Sequence, residues 1–121
     1  MAFVQLGDTF ILGPSGHLWI VISDPAKNAG EFIMVNLTTN VFRAGTDCEL
    51  NPGDHPWITD KCYVAFGDAR KVSVKQEATI VALIQAGTIR SQHQMDTLVL
   101  QKIVDAGKKS KALAIAYKAC L

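Results

Sequence analysis

His55, Asp68 and Arg70 lie around one short apolar run, and together these residue types can move a proton and hold an anion. Imidazole is the side chain that changes charge near neutral pH, so His55 suits general acid–base work. Asp68 is able to orient an imidazole, and the fork of Arg70 is able to hold a phosphate through two parallel hydrogen bonds. The stretch that carries them, residues 51–70, opens with the polar turn Asn51-Pro52-Gly53-Asp54, in which Pro and Gly preset the backbone. That turn and Pro56 fix the backbone of His55 from both sides, with Trp57 as an apolar anchor beside it. Cys62-Tyr63-Val64-Ala65-Phe66, rich in β-branched and aromatic residues, reads as a buried strand. Gly67 breaks that run, and the alternation of an extended segment then puts Asp68 and Arg70 on one side. The same residues also fit a surface turn, a core strand and a solvated ion pair, because spacing alone does not separate a site from a chance constellation.

A second imidazole, His17, follows the loop Gly13-Pro14-Ser15-Gly16, and both histidines border the mouth of the expected sheet. Thr38 and Thr39 end a later apolar strand, and their hydroxyls are able to donate to phosphate oxygens. Trp57 and Tyr63 offer faces on which bases stack, and Lys71 adds a charge beside Arg70. His93 falls at a helix start and reads as a surface residue. Cys48, His55 and Cys62 resemble a zinc set in type only, since their spacing matches no common ligand knuckle. Three cysteines without a Cys-x-x-Cys pair read as free thiols. There is no P-loop, no dinucleotide-binding glycine fingerprint and no Gly-x-Ser-x-Gly elbow, and neither a metal nor a cofactor is expected.

These residues need elements to position them. Thr9-Phe10-Ile11-Leu12 is a short strand after the turn at Gly7-Asp8. Leu18-Trp19-Ile20-Val21-Ile22-Ser23 is apolar enough for a strand buried on both faces, and it stops at Asp24-Pro25. Residues 31–37 return as its hairpin partner, residues 40–47 are a loop, and Cys48-Glu49-Leu50 is an edge strand. Lys71 to Val74 continues the last strand, with Val72 and Val74 turned inward. The pattern then becomes helical: residues 78–86 with Gly87 as the terminator, then a helix capped by Ser91 and Gln94. Along that helix Met95, Leu98, Val99, Ile103 and Ala106 recur at helical spacing. A last helix, capped by Ser110, places Leu113, Tyr117 and Leu121 on one face. Strands followed by helices imply one α+β domain: a small antiparallel β-barrel or strongly bent sheet over residues 1–76, with a helical extension over 77–121 that docks on it.

At 121 residues, 49% hydrophobic and 19% charged, the chain is a globular domain without disordered composition. No apolar run is long enough to span a bilayer and the N-terminus lacks a signal-peptide pattern, so a cytoplasmic protein with no membrane association is expected. Net charge is uneven: −3 up to Gly87 and +4 from Thr88 onward. A basic tail on a slightly acidic body suits an acidic partner, although lysines on exposed helix faces are also ordinary solubilising charge.

The order of landmarks resembles the PemK/MazF-like toxins: Gly7-Asp8, a loop, His17-Leu-Trp-Ile-Val-Ile-Ser23, then Phe32-Ile-Met-Val-Asn-Leu-Thr38-Thr39. The resemblance covers about residues 6–74. It implies an SH3-like barrel from a toxin–antitoxin system and a metal-independent endoribonuclease that cuts single-stranded RNA. It also implies a small acidic antitoxin-like partner and a homodimer. Where such toxins carry a catalytic arginine before the strand ending in Ser, this chain has His17. Their hydroxyl after the next strand matches Thr38 or Thr39. Their later aspartate matches Asp68, but the arginine expected two residues before it is Phe66, and Arg70 is the substitute. A second expectation, from the residues alone, is a non-catalytic binding module that engages an acidic protein.

Overall fold

In the computed structural model, residues 4–12, 16–73, 79, 82–83, 85–87 and 89–121 are described. Among the described residues six strands form one antiparallel sheet: β1 (Thr9–Leu12), β2 (His17–Val21), β3 (Phe32–Thr38), β4 (Glu49–Leu50), β5 (Cys62–Val72) and β6 (Ile89–Gln92). Their order across the sheet is β4-β5-β3-β2-β1-β6. Helices follow as expected of an α+β plan: α2 (Thr97–Lys109) and α3 (Ile115–Lys118) come last, after a one-turn α1 (Val41–Ala44). The 3-10 turn Pro25–Lys27 joins β2 to β3.

Side-chain alternation divides the sheet into two apolar faces. Ile33, Val35 and Leu37 of β3 share one face with Ile11, Leu18, Ile20, Val64 and Phe66, and this is the main core. Phe32, Phe10, Val21 and Val72 form a second cluster, against which Met34 and Leu83 pack. This is why β2 reads as apolar throughout: Leu18, Trp19, Ile20 and Val21 are all buried. The sheet is strongly bent. His55, in the loop that follows edge strand β4, reaches Thr9 on β1 and the carbonyl of His93 just past β6, near the opposite edge.

The tail closes the main core. Met95, Ile103 and Leu113 are buried there, with Val99, Leu100, Tyr117 and Leu121 packed against it. Gly107 lets α2 approach closely, since a Cβ there would lie 3.1 Å from the ring of Phe66. Lys102 donates to the Glu49 carbonyl at 2.6 Å and Ser110 Oγ to the Asp47 carboxylate at 2.5 Å, tying the tail to the β4 edge.

Several expectations need correction. Ser91 and Gln94 do not cap a helix: Ser91 pairs with Phe10 as part of β6, the Gln94 amide donates to Asp8, and Asp96 caps α2 by accepting from Leu98 and Val99. The helical character expected from residue 77 on is therefore interrupted by a strand. Leu98 is 81% exposed and lies off the buried stripe, because five residues before Ile103 places it about 140° around the helix. Ser110 ends α2 and does not start the last helix, which begins at Ile115. Residues 40–47, expected as a loop, contain α1, whose cap Asn40 accepts from Phe42 and Arg43. Gly67 does not end β5. The register jumps from Asn36↔Ala65 to Met34↔Arg70, so residues 66–69 oppose Val35 alone and the strand bulges there. The expected loop at Gly13-Pro14-Ser15, the inward Val74 and residues 78, 80–81 and 84 of the expected helix over 78–86 lie outside the described residues, while Thr79, Ala82, Leu83 and Gln85 are helical. Among the described residues no helix is long and apolar enough to cross a membrane.

Candidate functional site

The structure separates the residues singled out in the sequence into three groups. His55 is the first, and it is structural in its bonding. It is buried, its Nδ1 accepts the Trp57 backbone N–H at 3.0 Å, and its Nε2 lies against the His93 carbonyl. A backbone N–H on Nδ1 leaves the proton on Nε2, which donates to His93. Thr9 Oγ1 donates to the same carbonyl at 2.6 Å. Both ring nitrogens are thereby committed to backbone, and none is left for a reacting group. The rigid turn does hold His55, with Asp54 Oδ2 accepting the Asn51 N–H at 2.8 Å, but it holds the ring inward. His55→Ala should lower unfolding stability by about 1–3 kcal/mol, the cost of stranding buried backbone donors and acceptors, as read from urea denaturation.

The second group is Asp68, Arg70 and Lys71, and these three do not converge. Asp68 binds Arg43 of α1 at 2.5 Å, a cation the sequence reading passed over. The signal was Asn40, a helix cap that folds Val41–Ala44 back toward β5. Arg70 lies over the Trp19 ring, its Cζ 5.0 Å from the centroid, and Lys71 pairs with Glu31 at 3.3 Å. The bulge at residues 66–69 causes the split, since it breaks the simple alternation that would have kept Asp68 and Arg70 on one side.

The third group does come together. A cavity of about 190 Å³ is lined by Gly16, His17, Leu37, Thr38, Thr39, Trp57 and Cys62. Two strand ends build it. The β2–β3 register runs Trp19↔Asn36, and two residues further along it sets His17 across from Thr38 on one face. His17 Nδ1 lies 3.0 Å from the Leu37 carbonyl oxygen, and because that oxygen only accepts, Nδ1 carries the proton. The Nε2 lone pair is left open, with no bond to it among the described residues. Thr38 Oγ1 accepts the Asn40 N–H at 3.1 Å, leaving its own proton available to donate. Trp57 enters from the loop that His55 anchors, so the buried imidazole positions one wall of the cavity.

Cys62 closes the cavity floor. Burial pushes both its thiol and that of Cys48 up to about 11, so at neutral pH neither is a thiolate nucleophile. Among the described residues no three His, Cys, Asp or Glu side chains are placed to hold a metal ion. A larger depression of about 420 Å³ beside α2 is lined by Leu6, Ile22, Asp24, Lys27, Leu100 and Cys120 among others, and it gathers none of the residues singled out above.

On the same face as His17 and Thr38, one row along the strands, lie Trp19 and Asn36. Asn36 is buried, and its Oδ1 has no hydrogen-bond partner among the described residues. Comparison with protein-family models finds no match, and comparison with curated proteins finds none.

Proposed function

We propose that the chain is a metal-independent endoribonuclease of the toxin–antitoxin kind its sequence resembles, acting on single-stranded RNA at the cavity of His17, Thr38 and Thr39. One observation supports the reading: an imidazole with Nδ1 fixed by a backbone carbonyl and Nε2 open among the described residues, in a cavity lined by Thr38 and Thr39. Nε2 takes the proton from a ribose 2′-OH, whose oxygen then attacks the adjacent phosphorus. The bond to the 5′-oxygen breaks, that oxygen takes a proton from water, and a cyclic phosphate remains. The hydroxyls of Thr38 and Thr39 donate to the non-bridging oxygens as charge builds on them. Trp57 supplies an apolar wall against a base. His55 has no part in this chemistry.

A small acidic protein is the fitting partner, as in the toxins that the sequence resembles, and the same resemblance suggests a homodimer. Lys108, Lys109 and Lys111 are exposed and make no ion pair among the described residues. Those lysines also favour the second reading, a binding module that engages an acidic protein without cleaving RNA. The two readings part on one experiment. Purified protein incubated with single-stranded RNA in EDTA should yield fragments ending in 2′,3′-cyclic phosphate. Intact RNA together with tight capture of a small acidic protein would select the binding module.

A further inference from the structure

Arg70 is exposed, its guanidinium is stacked over Trp19, and it makes no ion pair among the described residues. Three cations on or beside β5 are matched instead: Arg43 with Asp68 at 2.5 Å, Lys61 with Glu49 at 3.4 Å and Lys71 with Glu31 at 3.3 Å. The cation–π contact holds the guanidinium over the indole, so less side-chain freedom is lost when its N–H groups bind an anion. Trp19 and His17 share one face of β2 and are two residues apart, about 7 Å along the strand. That spacing is close to the repeat between phosphates of an extended single strand. Trp19's neighbour across the strand is Asn36, so this same face retains a buried acceptor that no described residue uses. A buried polar group without a partner calls for a reason other than stability.

We propose that Trp19 and Arg70 form a nucleotide subsite beside the His17 cavity, binding the phosphate and stacking the base one step along a single-stranded RNA from the bond that is cut. The proposal rests on the reading of that cavity as an RNA site. Arg70 offers its donor edge to the phosphate and its outer plane to the base, a use of guanidinium that is common in single-strand recognition. It is a binding group here and takes no part in proton transfer.

The test uses the full chain with an uncleavable 2′-O-methylated single strand, followed by fluorescence anisotropy over a range of salt concentrations. Arg70→Ala should weaken binding about tenfold and flatten the slope of log affinity against log salt by about 0.7, one phosphate contact. Arg70→Lys should restore the slope without restoring the affinity, because a point charge does not stack. With cleavable RNA, the loss in Arg70→Ala should fall on KM. Unchanged affinity and slope in Arg70→Ala would overturn the subsite, as would a loss confined to kcat. If His17→Ala stops cleavage while Arg70→Ala behaves as the parent, the subsite alone falls. If the parent neither binds nor cuts single-stranded RNA, the cavity reading fails and the subsite falls with it.

Discussion

His17→Ala is expected to slow RNA cleavage by at least about 10²-fold, the lower end of what a positioned proton-transfer group supplies. The size of the effect follows from the bonding of the ring. The Leu37 carbonyl fixes the Nδ1 proton and so presents Nε2 as a base in a single tautomer. A neighbouring water that took over would have neither the basicity nor the fixed position. His93→Ala should cleave as the parent does, since the backbone carbonyl that Thr9 and His55 use is retained, and its exposed ring, edge-on to His55 at 6.4 Å, does not line the cavity. A His17→Ala protein that cuts RNA at the parent rate would move the chemistry away from this cavity.

Ile103→Ala should cost about 2–5 kcal/mol of unfolding free energy, the range for truncating a fully buried aliphatic side chain. Ile103 is the residue through which α2 enters the main core, and it is completely shielded from solvent. The comparison is Leu98→Ala on the same helix, where the side chain is 81% exposed and the change should stay within about 0.5 kcal/mol. Urea midpoints measured at constant slope will separate the two. Equal effects at both positions would mean that the tail does not close the core.

The strands were the most legible part of the chain. Thr9–Leu12 was readable to the residue, and the all-apolar run after His17 announced a strand covered on both faces, as it is. Tail docking was legible too, because two short amphipathic helices have nowhere else to bury Ile103 and Leu113. Misreadings came where local rules compete. Ser91 and Gln94 have the spacing of a capping box, but β1 offers a backbone partner that claims Ser91 first. The one-turn α1 is too short for periodicity, and only its cap Asn40 signals it. His55 shows a different limit: its neighbours fix the backbone of the turn, but whether the ring faces solvent or core depends on where that loop lands across the sheet. The bulge at residues 66–69 is similar, since Gly67 marks an irregularity without telling which side chains it redirects. The cavity of His17, Thr38 and Thr39 became visible only once a register was known.

The tie between Lys102 and the Glu49 carbonyl bears on how copies of this sheet can meet. β4 is an outer strand only two residues long, and a lysine ammonium occupies one of its carbonyls. Short, charged margins of this kind resist a visiting strand. At the other margin, β6 pairs with β1 alone among the described strands. A sheet that accepts a new strand on one side only cannot polymerise: two copies joined at β6 would each turn a blocked margin outward. Edge pairing at β6 alone would thus end with two copies.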